Sequence, residues 1–346
     1  VIALIPIRDI ELTIPSTDAL PPSYESRAAF DTLSEQFGIG EKATVFLLAK
    51  RDGGWEDTEG LEKLVSIQKQ IADKSLVDEV ITPFTVANVE SVEQWQGIEA
   101  QAPGVLDEAK QTFIKDEKMY MVVNLDAESA SSEAQQFVRD LNKEDFDVEI
   151  GLAGLPKFNQ EIFDEIANKI GLAITIIVVT TFIILMIAFR SILIPIKAIL
   201  MNVLGLASTF GILVYIFQYG HFGLTEGTIV LIIPVLVFCL VFGLSMDYEV
   251  FLISRIQEEY DKGATNTTAT VDGLVSTSKI ITSAALIMIV LTGAFAFTDV
   301  IPVKQIGVGI AIAVAIDATI IRLMLVPSLM KLFGDWNWWI PFRKRS

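Results

Sequence analysis

The sequence predicts an α-helical polytopic membrane protein: five transmembrane helices, the end of a sixth at the N-terminus, and an α+β domain outside the bilayer. Three observations predict it. The 346-residue chain is 52% hydrophobic with a mean hydropathy of +0.51, beyond an average soluble domain. Its net charge of −17 is unevenly spread. Residues 1–168 hold 14 Lys and Arg against 33 Asp and Glu, net −19, whereas residues 169–346 hold 12 against 10, net +2. The second part also contains five apolar runs near the ~20 residues that a helix needs to cross a membrane.

Val1–Ile7 is apolar but too short to cross, and residues 1–10 read as the outer end of an upstream transmembrane helix. The chain opens on Val1 with no Met and no signal peptide, so it reads as part of a longer protein. Residues 11–169 read as the acidic α+β domain. Ala43–Lys50 is a predicted strand, Asp57–Lys74 a helix with apolar Leu61, Leu64, Val65, Ile67 and Ile71, and Val77–Phe84 a second strand. A helical stretch around Val86–Ile114 follows, then a third strand, Met119–Asp126. Ser131, Ser132 and Glu133 open a helix to Glu144, and Asp147–Leu152 is a fourth strand. This order predicts a ferredoxin-like, split βαβ layer with helices on one face. Pro156–Asn168 continues helical into the first span without a breaker, a rigid link suited to transmitting motion.

Residues 170–339 read as the transmembrane domain, with spans at Ile170–Phe189, Ile192–Phe217, Thr228–Ile253, Ile280–Phe297 and Gln305–Phe333. One set of connections and ends carries Arg190, Lys197, Arg255, Lys262, Lys279, Lys331, Arg343, Lys344 and Arg345. The opposite set carries only Lys304, beside His221 and Glu226. Positive residues collect inside, which places the C-terminus and a basic tail (340–346) in the cytoplasm and the acidic domain outside. Trp336, Trp338 and Trp339 suit the membrane–water boundary.

Three intramembrane ionisable residues carry most of the functional information: Asp247 in GLSMDYEVFL, and Asp317 and Arg322 in AVAIDATIIRLMLVP. A charge at bilayer depth costs at least ~2.5–3.5 kcal/mol, so such residues face the bundle interior, pair, and mark ion pathways. A buried carboxylate is a candidate for loading and unloading protons, and Tyr248 beside Asp247 can donate a hydrogen bond. Gly243 lies one turn before Asp247. Gly307, Ala311 and Ala315 form a small-residue ridge that predicts close packing of the third and fifth spans, bringing Asp247 near Asp317. Asp317 and Arg322 lie about 140° apart on an α-helix, so they are poorly placed to pair within one helix. Structural readings stand beside these: Asp247 near the end of its apolar run, Asp317 and Arg322 as an architectural pair between copies, Tyr248 as packing. Cys239 reads as core and His221 as a loop residue. Thr282 and Ser283 read as hydroxyls bonded to their own helix.

Other classes find little support. No basic face offers itself to nucleic acid, and one cysteine excludes a disulfide framework. There is one histidine, no G-x-S-x-G elbow and no Walker-type loop. No cofactor is called for, and an ion gradient acting on buried carboxylates is the remaining energy source.

At GLSMDYEVFLISRIQEEY (Gly243–Tyr260) the chain resembles the MmpL-type transporters of the RND (resistance–nodulation–division) superfamily. The resemblance continues through KIITSAALIMIVLTGAFAF (Lys279–Phe297) and GVGIAIAVAIDATIIRLMLVPSLMKLFGDWNWW (Gly307–Trp339). Upstream, IPSTDALPPSYESRAAFDTLSEQFG (Ile14–Gly38) resembles the entry to the second extracytoplasmic porter domain. The resemblance implies the C-terminal half of a two-half transporter in a bacterial cytoplasmic membrane, partnered by its N-terminal half. It also implies that Asp247 and Tyr248 belong to a proton relay, with Asp317 and Arg322 mapping onto the twelfth-helix aspartate and arginine. The expected function is proton-driven export of lipids or other hydrophobic compounds, by a transporter and not an enzyme. Monomeric and homo-oligomeric arrangements both fit. Alternatives are a SecDF-like aid to protein export and a non-transporting lipid sensor or scaffold. An intramembrane aspartyl protease lacks its G-x-G-D, since Ser245-Met246 precede Asp247.

Overall fold

The computed structural model describes residues 2–15, 17–37, 42–222 and 227–339. The predicted tail (340–346) and Glu226 lie outside them. Two compact units form: Pro22–Ala167, and Val1–Pro21 with Asn168–Ser346.

The chain begins with 3-10 turns at Ile2–Leu4 and Pro6–Asp9 and a two-residue strand, β1 (Leu12–Thr13). The acidic unit then runs α1 (Glu25–Phe37), β2 (Lys42–Lys50), α2 (Thr58–Ala72), β3 (Val77–Ile81), α3 (Pro83–Val86), α4 (Val92–Gln101), α5 (Asp107–Phe113), β4 (Ile114–Lys115), β5 (Lys118–Glu128), α6 (Ser132–Leu141) and β6 (Glu149–Ala153). The sheet order is β3-β5-β2-β6, with β4 beside β5 and every pair antiparallel. Period-two alternation explains the layer. Ala43, Val45, Leu47 and Ala49 of β2 and Met119, Met121, Val123 and Leu125 of β5 are fully buried. They share one core with Leu61, Leu64, Ile67 and Ile71 of α2 and Phe137, Val138 and Leu141 of α6. Phe46 and Leu48 are exposed.

Capping sets the helix starts. The Asp57 side chain accepts from the Gly60 amide, and the Ser131 hydroxyl accepts from the Ala134 amide. Two boundaries differ from expectation. The second strand stops at Ile81, because Thr82 forms a capping box with Thr85 and Pro83 opens α3. The helical stretch over 86–114 is two helices, α4 and α5, set off from α3 and from each other where Asn88 and Gly104 take positive φ.

The membrane unit contains most of α7 (Leu155–Phe189), an uninterrupted helix of 35 residues and about 52 Å. It continues with α8 (Leu193–Leu213), a π-helical turn (Val214–Gln218), β7 (Ile229–Val230), α9 (Ile232–Asp261) and α10 (Asn266–Gly293). After a 3-10 turn come α11 (Ile301–Ile316), a π-helical segment (Asp317–Leu325) and α12 (Val326–Phe333). Five helical stretches are long and apolar enough to cross a membrane. The α10 helix starts well before the predicted Ile280, because Thr265 caps it and Thr270 and Thr277 bond carbonyls four residues back. Its first turns are polar, so hydropathy alone misses them.

β1 pairs in parallel with β7, Leu12 opposite Ile229. A Cβ on Gly211 would collide with the Ala3 carbonyl oxygen, so glycine is what lets the first turn lie against α8. The predicted ridge behaves differently from expectation. A Cβ on Gly307 would meet Phe295 at 2.3 Å and the Thr292 carbonyl oxygen at 2.6 Å, which turns this position toward α10 and its trailing 3-10 turn. Gly309, two residues on, faces Leu213 and Val237 of α8 and α9.

Candidate functional site: a buried charge cluster on α9

Helix α9 presents its polar residues on two sides. At 100° per residue, Ser245 and Asp247 lie about 200° apart. Ser245 and Glu249, four positions apart, share a buried face. Gly243 and Asp247 share the other, which is exposed.

On the buried face the π-helical segment supplies Asp317 and Arg322. An Arg322 terminal nitrogen donates to Asp317 Oδ2 at 2.5 Å and to the Ser245 carbonyl at 3.0 Å. The expectation that these two residues cannot pair within one helix is overturned. It assumed α-helical spacing, whereas a π-helix closes from i to i+5 and brings residue 322 over residue 317. Pro327 lies just beyond this segment and removes a donor that a regular α-helix would use there.

Ser245 Oγ lies 2.7 Å from Asp317 Oδ1 and 2.5 Å from Asn202 Oδ1 of α8. A hydroxyl has one hydrogen to donate. It serves an ionised Asp317, or it serves Asn202 while a protonated Asp317 donates to Ser245. The Arg322 guanidinium also lies 4.8 Å from the centre of the Tyr248 ring, a cation–π distance. Its Nε is buried without a hydrogen-bond partner among the described residues.

Three of the four predicted site residues, Tyr248, Asp317 and Arg322, therefore meet. Asp247 does not join them. It is exposed on the side of α9 that carries Leu236, Leu240 and Gly243, where a Cβ on Gly243 would meet nothing within 4 Å. Ser245 occupies the place beside Asp317 that was expected for Asp247. Cys239, expected in the core, is exposed on this open side, because it falls one turn before Gly243. Thr282 and Ser283 are exposed on α10. His221 Nδ1 lies 2.8 Å from the Tyr215 carbonyl, and its ring stacks on that tyrosine.

Sequence reasoning missed Ser245, Asn202, Glu249 and Lys197. Glu249 carries the same signal as Asp247, a charge inside an apolar run. Lys197 reads in the sequence as a connection residue, but it is buried. Its Nζ donates to Asn337 Oδ1 and lies 3.2 Å from Met330 Sδ. Trp338, read as an interfacial anchor, stacks on Tyr260 and donates to Asn266 Oδ1, tying the ends of α9 and α10 together.

The MMPL family model matches residues 18–346. The chain belongs to the MMPL family. It is 33% identical to the trehalose monomycolate exporter MmpL3 of Mycolicibacterium smegmatis over 346 residues, covering 99% of this chain and 32% of that relative. Identity reaches 43% over 194 residues with MmpL3 of Mycobacterium tuberculosis, covering 55% of this chain and 21% of the relative. It is 38% over 196 residues with the mycolic acid-containing lipids exporter MmpL11 of M. smegmatis, covering 56% and 20%. The chain thus spans a third or less of the length of these curated relatives. Membership, together with five apolar helices, identifies it as a multi-pass membrane protein of a transporter family.

Proposed function

We propose that this MMPL chain is the C-terminal half of a proton-motive-force-driven exporter that moves lipids or other hydrophobic compounds out of a bacterial cytoplasmic membrane. The observation that carries this reading is the buried Asp317–Arg322 pair seated against Ser245 and Tyr248. Buried charges in a membrane are costly and mark ion pathways, and this cluster has places for a mobile proton. The names of the relatives, exporters of trehalose monomycolate and of mycolic acid-containing lipids, supply the substrate class. Their greater length supports a second half as partner.

In this reading Asp247 works at the open side of α9, where the N-terminal half supplies the opposing helix. Protons enter from outside, neutralise Asp247 and leave inward, while Tyr248 and Arg322 couple that event to Asp317. No cofactor is invoked. The acidic unit is taken as an extracytoplasmic porter domain, with the C-terminus in the cytoplasm. Its ferredoxin-like assignment is supported by the strand order β3-β5-β2-β6, with β2-α2-β3 and β5-α6-β6 as split βαβ units.

The test uses inverted membrane vesicles that contain the complete transporter, with an internal dye following proton efflux from an acidified lumen. Wild type should release protons faster than empty vesicles, and Asp247→Asn should match empty vesicles at equal insertion. Equal efflux from wild type and Asp247→Asn would sink the relay role of Asp247.

A further inference from the structure

One turn beyond Ser245 on the same face of α9, about 6 Å along the helix, a second buried acid has no partner in the cluster just described. Glu249 is 7% exposed and makes no hydrogen bond or ion pair among the described residues. It lines a small cavity between α8, α9 and α12, together with Lys197 and Met330. The space open to the centre of a water molecule is about 10 Å³, roughly what one ordered water requires. Apart from Lys197 and Glu249, the lining is apolar.

Lys197 is held from its other side. Its Nζ donates to Asn337 Oδ1, lies 3.2 Å from Met330 Sδ and sits 5.6 Å from the centre of the Phe333 ring. An ammonium has three hydrogens, so one remains for the cavity. Lys197 and Glu249 are not in direct ion-pair contact, and a water between them satisfies both. The charged groups around Glu249 are Lys197 from α8 and Asp317 and Arg322 from the π segment, so two acids and two bases face one another.

We propose that Glu249 and Lys197 form a second proton-exchange site bridged by one water, receiving protons from the Asp317 site one helical turn away. This rests on the proton-coupled reading of the chain, and assigns the relay a station distinct from Asp247. A proton delivered through the water binds a Glu249 carboxylate oxygen, and the carboxyl returns it to the water. Only O–H bonds form and break. Lys197 remains the fixed ammonium that holds the water and balances the ionised carboxylate.

The test is infrared difference spectroscopy of the complete transporter in lipid nanodiscs across a pH titration, read at the carbonyl stretch of protonated carboxyl groups. Wild type should show a band that Glu249→Gln removes and Asp247→Asn leaves in place. Glu249 is the buried glutamate among the described residues of this chain. Incorporating glutamate labelled with ¹³C at its carboxyl should shift the same band, which marks it as a glutamate band, and Glu249→Asp, which keeps a carboxyl there, should displace it in the case in which Glu249→Gln fails to insert. If neither the label nor Glu249→Gln alters that band at any pH, Glu249 holds no proton, and the pair is a static water-bridged ion pair. The two ideas separate cleanly. Loss of proton efflux in Asp247→Asn with an unaltered Glu249→Gln spectrum keeps the relay and overturns this site. Unaltered efflux in Asp247→Asn with loss of the Glu249 band keeps this site and overturns the role of Asp247.

Discussion

The acidic unit and the membrane unit each contain an aspartate–arginine pair, and the same chemistry plays opposite parts in them. In the acidic unit, Arg51 donates to Asp57 at 2.7 Å, with the aspartate side chain half exposed. In the membrane unit, Arg322 donates to Asp317 at 2.5 Å with both partners nearly sealed off. A pair in water contributes little, because its ions were well solvated before they met. A pair away from water holds together two groups whose separation would strand a charge, so breaking it is far costlier than its net contribution suggests. Length does not distinguish the two pairs; surroundings do.

The largest expected effect comes from breaking the sealed pair. Arg322→Met should destabilise the membrane unit by about 3–5 kcal/mol, the usual cost of an uncompensated buried charge. Unfolding of the full chain in detergent micelles measures this. Adding Asp317→Asn to the same chain should recover most of the loss, since the stranded charge is gone. A double variant no more stable than Arg322→Met would break the contrast between the pairs.

The exposed pair predicts a smaller, pH-dependent effect. The Arg51 guanidinium and the Gly60 amide hold the Asp57 carboxyl below the usual carboxylate range. A carboxyl lowered in the folded state adds stability above its unfolded value and loses it as pH falls through the folded one. The acidic unit should therefore weaken as pH drops below about 4. Asp57→Asn, which keeps an oxygen for the helix cap, should flatten that part of the acid-unfolding curve read by circular dichroism. An unchanged curve would show that the pairing with Arg51 contributes nothing there.

Asp247 sharpens the comparison from the other end, as an acid with no partner among the described residues of its own chain. Asp247→Asn should leave the unfolding of this chain unaltered while abolishing proton efflux from the complete transporter. A measurable loss of stability would mean that Asp247 is engaged within the chain.

Much of this layout is legible in the sequence, for reasons that follow period and polarity. Strands β2 and β5 alternate cleanly, Ser131 marks the start of α6, and the apolar runs overlap α8 and α9, although α9 continues through polar residues to Asp261. The misses have separate physical causes. Early α10 is a polar helix whose hydroxyls bond its own backbone, so hydropathy is silent over Asn266–Lys279. The π-helical segment changes which residues share a face without changing composition, and the Asp317–Arg322 pair is hidden by the assumption of 3.6 residues per turn. Cys239 reads as core by residue type, whereas its side of α9 is decided by position relative to Ser245. Glu249 was visible as an intramembrane charge, but only the burial of Lys197 gives it a counterpart.

The Ser245 hydroxyl has a consequence of its own. One hydrogen stands between an oxygen of α8 and an oxygen of the π segment, and it points at one of them at a time. Its direction is a record of whether Asp317 carries a proton, and Asn202 is placed to read that record. Asp317 and α8 are thus joined through a single hydroxyl whose C–O bond can rotate.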